Sequence, residues 1–318
     1  MKLNAIIDCD PGHDDVMAIL LAGRTMNLCG ITTVHGNASL ENTTYNARQV
    51  VEFADLTSVP IAKGNARPLV RNPQYAPAVH GETGLDGPNM APPTVALHPR
   101  NAVDFILESS HTIPDLHLLP VGPLTNIAAA LNLDPTLPQR VKQISLMGGS
   151  LTWGNITPAA EFNIYCDPEA AHVVFTSGIP IKMIGLNATH QVLARPDYRR
   201  RVRSIGSTTS THVADMLDFY SRGESGGTGL EGGAMHDPLA VAALIDPEIL
   251  TFEPMHVAVE YVGSRTAGMT LCDGRHLGAD FRAAKSRRRG EPPNAEVAIL
   301  ANEKRFWELF LDILATYP

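Results

Sequence analysis

Four carboxylates fall within eight residues of the N-terminal run IIDCDPGHDDVMAILLA: Asp8, Asp10, Asp14 and Asp15. Like charges that close repel unless a cation sits among them or some stay protonated. One of them could cap the helical pattern that starts near Val16, where a carboxylate meets free N–H groups and the positive end of the helix dipole. A helix end has room for one cap and one or two dipole partners, so four need another reason. Clustered carboxylates without a Cys/His ligand pattern suit a hard cation, calcium or magnesium, which takes oxygen ligands. Such an ion acidifies water, and one carboxylate outside the ligand set can then act as a base.

Short apolar runs and helical patterns alternate around this cluster. Asn4–Ile7, Cys29–Val34, Leu116–Pro120, Ile144–Met147 and Ile181–Ile184 read as strands, and Leu250–Asp273 as further short strands. Helical periodicity covers Val16–Ala22, Tyr45–Ala54, Ala102–Glu108, Leu124–Leu131, Pro168–Ser177, Thr208–Tyr220, Leu239–Ile245 and Glu303–Thr316. The alternation predicts an α/β chain, residues 1–318 as a single domain, with a mostly parallel, Rossmann-like open sheet and helices on both faces. Two stretches read as loops that could close over a site: Asn72–Pro93, and Gly223–Gly233 with six glycines in eleven residues. Gly227–Gly232 spells a dinucleotide fingerprint, but it follows a helical pattern instead of a first strand, so it is rejected.

In an open parallel sheet, ligands bind beyond the carboxyl ends of the strands. Polar residues collect there in this chain. After the second strand come His35, Gly36 and Asn37; after the third, Val121 to Asn126; after the fourth, Gly148 to Ser150, leading to Asn155, Glu161 and Asn163; after the fifth, Asn187, Thr189 and His190. His236-Asp237-Pro238 precedes a helix, where Asp at the cap and Pro at the first helical position is ordinary chemistry. The chain has five Asp-Pro pairs, so the pair alone says nothing; the glycine-rich segment before it and the neighbouring His single this one out.

Composition narrows the function classes. The chain has 318 residues, 44% hydrophobic and 18% charged, with a formal charge of −8, which argues against a nucleic-acid partner. Lys285–Arg289 is a local basic run read as a solvated loop. No apolar run is long enough to span a membrane, and no signal peptide is visible. Cys9, Cys29, Cys166 and Cys272 are scattered, which fits reduced thiols and a cytoplasmic protein.

Together the motifs IIDCDPGHDDVMAILLA, ITTVHGN, VHGETGLDG, LPVGPLTNIA, LMGGS, NITPAAEFN and HDPLAVA, in this order between Ile6 and Ala242, resemble the inosine–uridine-type nucleoside hydrolases. The resemblance implies the nucleoside hydrolase fold and calcium-dependent hydrolysis of ribonucleosides to base and ribose, in purine and pyrimidine salvage. It implies calcium held by Asp10, Asp15, Asp237 and the Val121 carbonyl, with Asp14 as general base and Asp8 behind them. Asn37, Asn155, Glu161 and Asn163 would hold the ribose hydroxyls, and Met147 and Phe162 would line the sugar. His80 and His236 would lie near the nucleobase, His236 as the acid for the leaving group. It also implies a homodimer or homotetramer. The match thins at Tyr220–Ala234, where Tyr220, Arg222 and Glu224 are the possible base contacts, so base preference is open.

Two rival readings use the same residues. A haloacid-dehalogenase-type phosphohydrolase would take Asp8 as nucleophile and Asp10 as acid, but it has no use for Asp14-Asp15, GETGLDG or EFN. A non-catalytic nucleoside-binding protein would have little need of Asp14 or His236.

Overall fold

A computed structural model describes residues 2–228, 231–277 and 291–318. The basic run Lys285–Arg289, and Gly229 and Leu230 of the rejected fingerprint, lie outside the described residues. Eight strands form one sheet in the order β3-β2-β1-β4-β5-β6-β10-β7. They are β1 (Asn4–Cys9), β2 (Asn27–Thr33), β3 (Ile61–Lys63), β4 (Leu116–Pro120), β5 (Val141–Met147), β6 (Ile181–Ile184), β7 (Leu250–Met255) and β10 (Ala295–Ala301). Every pairing is parallel except β10 with β7. A separate antiparallel hairpin joins β8 (Val257–Glu260) and β9 (Met269–Cys272).

Strand alternation sorts β1 between two apolar layers. Ala5 and Ile7 join the layer formed by α1 (His13–Thr25), α2 (Leu40–Phe53), α10 (Thr208–Thr228), α11 (His236–Ile245) and α12 (Glu303–Leu314). Ile6 joins the opposite layer with α4 (Ala102–Thr112), α5 (Thr125–Leu133) and α7 (Pro168–Phe175). Both α1 and α11 are apolar nearly all round and almost wholly buried, which fits helices walled in on every side. Their N-termini both reach the carboxyl edge of the sheet at β1 and β4, where the crossovers change direction. That is the crevice in which this topology places ligands.

The predicted strands and helices are all present, with several corrections. α1 begins at His13 with Gly12 as its cap, so Asp14 and Asp15 stand in its first turn, not before a helix starting at Val16. Asp237 is likewise the second residue of α11, and Met235 takes the cap position. α10 runs through Thr228, so the first half of the expected loop Gly223–Gly233 is helical. Strands β3 and β10 and helix α9 (Pro196–Ile205) were not anticipated. The Asn72–Pro93 stretch is a loop apart from the single turn α3 (Pro77–His80). No helix among the described residues is long and apolar enough to cross a membrane.

Candidate active site

The four N-terminal carboxylates occupy four different environments. Asp8 points to the α5 side, where its Oδ1 accepts from Thr32 Oγ1 at 2.6 Å and Asn126 Nδ2 at 2.7 Å. Its Oδ2 is buried without a partner, and burial pushes the carboxyl up to about 7. Asp10 lies between two glycine backbones: a Cβ on Gly36 would stand 2.0 Å from its Oδ2, and one on Gly122 2.3 Å from its Oδ1. Asp10 Oδ2 accepts the Asn37 N–H at 2.6 Å, while Oδ1 has no partner.

Asp15 turns under the loop. Its oxygens accept the Asp10 N–H at 3.1 Å, the Gly12 N–H at 2.9 Å and Asn37 Nδ2 at 3.1 Å. The helix-start role is therefore real for Asp15, since it closes back on the cap residue's own N–H. Asp14, one residue away, lines the cavity described below. Carboxylate oxygens of Asp14, Asp15 and Asp237 come within 4.8 Å of one another, and all three residues are buried.

Burial and mutual repulsion push Asp10 and Asp237 well above the usual carboxylate range and Asp15 up to about 7. Asp15 and Asp237 share a hydrogen bond, which lowers Asp15 and raises Asp237 further, so one proton is held between the two carboxylates. A hard divalent cation fits this donor set. It would use the unpartnered Asp10 Oδ1, replace the shared proton, and offset the repulsion among buried carboxylates.

Above the cluster opens a cavity of about 530 Å³. Asp14, Asn37, His80, Val121, Met147, Asn155, Glu161, Phe162, Asn163, His236 and Asp237 line it, so nearly all the site residues expected from the sequence meet there. Asp8, Asp10 and Asp15 lie beneath it. Glu161 caps α6 (Phe162–Cys166), accepting the N–H groups of Asn163 at 2.8 Å, Ile164 at 3.1 Å and Gly149 at 3.0 Å. Asn163 Nδ2 bridges the carbonyls of Val121 at 2.8 Å and Met147 at 3.3 Å. Asn155 is exposed at the mouth, with Oδ1 accepting the Phe162 N–H at 2.9 Å.

At the far wall His13, His80, Phe219 and Tyr220 stack. The His13 ring lies 5.2 Å from His80 and from Phe219, and His80 lies 5.5 Å from Tyr220. His13 Nε2 meets the Asp86 carbonyl at 2.7 Å, and burial lowers His13 to about 4 and His80 well below the usual histidine value. Sequence reasoning passed over His13, Phe219, Tyr75 and Ile156. His13 sits inside the acidic motif itself, but its ring contacts come from residues some 70 and 200 positions away. Tyr75 and Ile156 line the cavity while 47% and 44% exposed, and nothing in the local sequence distinguishes them from surface positions.

The family model described as inosine-uridine preferring nucleoside hydrolase matches residues 5–308. The chain belongs to this nucleoside hydrolase family. It is 41% identical over 319 residues to the inosine-uridine preferring nucleoside hydrolase of Leishmania major, covering 99% of this chain and 98% of that one. It is 38% identical, with the same coverage, to the pyrimidine-specific ribonucleoside hydrolase RihB of Escherichia coli K12. The structure of a purine-preferring ribonucleoside hydrolase from Gardnerella vaginalis superposes with a TM-score of 0.89 at 32% identity, covering 98% of each chain. This nucleoside hydrolase is thus an N-ribohydrolase acting on ribonucleosides, and the phosphohydrolase reading falls.

Proposed function

We propose that the chain hydrolyses the N-glycosidic bond of ribonucleosides with calcium held by Asp10, Asp15, Asp237 and the Val121 carbonyl. The observation that carries this reading is the cavity itself: carboxylates at its floor, amide and carboxylate side chains on one wall, histidines on the other. Bound there, calcium supplies positive charge that acidifies water and balances the buried carboxylates. Asp14, which lines the cavity beside the ligand set, takes the proton of the attacking water. Asn37, Asn155, Glu161 and Asn163 hold the ribose hydroxyls, and Met147 and Phe162 pack on the sugar. Breaking the bond builds oxocarbenium-like charge on the ribose, which the surrounding carboxylates stabilise. His236 gives a proton to the departing base, and His80 flanks that base. Asp8 supports the floor from the α5 side through Thr32 and Asn126.

The same reading places the enzyme in the cytoplasm as a homodimer or homotetramer serving purine and pyrimidine salvage. The relatives' names divide between inosine-uridine, pyrimidine and purine substrates, so base preference is left to assay. The test is ribose release from a panel of nucleosides by enzyme stripped of metal, before and after calcium is restored. Calcium-dependent release is expected. Binding of nucleosides without release would overturn hydrolysis and favour a binding protein; equal release in chelator would overturn the cation.

A further inference from the structure

The one-turn helix α8 (Leu186–Thr189) follows β6 and ends against α11. Thr189 is fully buried there, and its Oγ1 lies 2.7 Å from His236 Nδ1. Among the described residues the other acceptor within reach of this hydroxyl is the Leu186 carbonyl, 3.5 Å away, and that carbonyl already accepts the His190 N–H at 3.0 Å. At 3.5 Å a hydrogen bond is weak, so the hydroxyl's principal partner is the imidazole. The His190 ring meets the His236 ring edge-on at 5.6 Å, limiting how far that ring can turn.

A histidine's two nitrogens are distinguished by the bond one of them already makes. Nδ1 bonds to Thr189 and the ring lines the cavity, so Nε2 is the nitrogen on the side of the ring turned away from Thr189. A hydroxyl suits this place better than a carbonyl or carboxylate. It donates to a bare Nδ1 and accepts from Nδ1–H, so the bond survives both protonation states of the ring.

We propose that Thr189 is a positioning residue for the glycosidic cleavage, holding His236 by Nδ1 so that Nε2 faces the departing nucleobase. This rests on the assignment of His236 as the leaving-group acid. As the bond from the anomeric carbon to the base breaks, its electron pair leaves with the base. The proton on His236 Nε2 passes to that base, and Nδ1 stays bonded to Thr189 Oγ1. In this step His236 starts as the imidazolium and ends as the neutral ring, its remaining proton on Nδ1 and donated to Thr189 Oγ1.

Thr189→Val keeps the shape and removes the hydroxyl; Thr189→Ser keeps the hydroxyl. The two variants, His236→Ala and the Thr189→Val/His236→Ala double variant are assayed on inosine and on a riboside whose nitrophenolate leaving group is stable as an anion. Thr189→Val is expected to lower kcat on inosine by about tenfold with little change in KM. It should leave the nitrophenyl riboside within about twofold, and Thr189→Ser should restore inosine turnover. In the His236→Ala background, Thr189→Val should add no further loss. Equal losses on both substrates, or the same loss with His236 absent, would overturn the proposal by showing a general structural role. Wild-type turnover of inosine by Thr189→Val would also overturn it. A His236→Ala enzyme that slows both substrates alike would overturn the acid assignment and this inference with it, while ribose release by the wild type would leave the hydrolase reading standing.

Discussion

Gly122→Ala tests the floor of the site without touching a charged residue. Gly122 has a backbone conformation open to other residues, so alanine there carries no torsional penalty. Its Cβ would nevertheless stand 2.3 Å from Asp10 Oδ1 and 3.1 Å from Val34 Cγ1. An ordinary contact requires the carboxylate to retreat by about 1 Å, a displacement of the size that disrupts catalytic geometry. Retreat is blocked on the other side, because Gly36 packs against Oδ2, and it strains the 2.6 Å bond from the Asn37 N–H. A hydrogen bond to a charged group contributes about 1.5–3 kcal/mol. At 1.4 kcal/mol per factor of ten, its loss weakens calcium binding by roughly 10- to 100-fold. Calorimetric titration of calcium into stripped enzyme reads that change directly, and ribose release at saturating calcium reads the loss in turnover. Gly274→Ala is the control, since among the described residues its Cβ meets neighbours only at 3.8 Å and beyond. Wild-type calcium affinity and turnover in Gly122→Ala would refute the placing of Asp10 in the ligand set.

Asp14→Asn should keep calcium and nucleoside binding while kcat falls by about a hundredfold or more, as for loss of a general base; binding calorimetry and single-turnover assays check it. Asp15→Asn should instead lose calcium affinity and lower Tm, because Asp15 anchors the N–H groups of Asp10 and Gly12 and the Asn37 amide. Calcium at about a hundred times its Kd should stabilise the fold by about 2.7 kcal/mol over the chelated protein, measured by urea unfolding. Trp307→Ala should cost about 3–5 kcal/mol in the same assay, since the indole is fully buried, stacks on Tyr198 and donates to the Leu193 carbonyl at 3.0 Å.

The sequence displayed the sheet well where strands are buried on both faces. Leu116–Pro120 and Ile181–Ile184 appear with the bounds expected from their apolar runs. Edges were harder. β3 is three residues long, too short for any periodic signal, and β10 alternates only loosely as AEVAILA. Helix α9 was hidden by its arginines: only Val202 in it is buried, and Arg199 and Arg203 are held by Asp215 and Asp218 of α10. Its stability comes from a partner helix adjacent in the chain, which local pattern does not reveal. For the site, polar residues at strand ends pointed to Asn37, Asn155, Glu161 and Asn163, whereas His80, Met147 and Phe162 came only from the family motifs. The stack of His13 on His80 and Phe219, and the bond from Thr189 to His236, depend on how loops from distant segments approach, and no spacing encodes that.

Four nearby acids occupy four different environments because the backbone changes period between them. Along β1 side chains alternate, so Asp8 shares the face of Ile6 and meets α5, while Ile7 and Cys9 enter the opposite core. Beyond the strand the chain turns at Pro11 and Gly12, and Gly12 must be glycine because a Cβ there would stand 2.6 Å from His80 Nδ1. Once α1 begins, successive side chains diverge by about 100°. Asp14 therefore faces the cavity and Asp15 turns beneath it to bind the loop that Asp10 and Gly12 belong to. Neither acid could take the other's place without rotating the helix, which α11 and the buried face of α1 forbid. The proposed separation of base from ligands thus follows from the strand-to-helix junction, which gives the two neighbouring aspartates different surroundings.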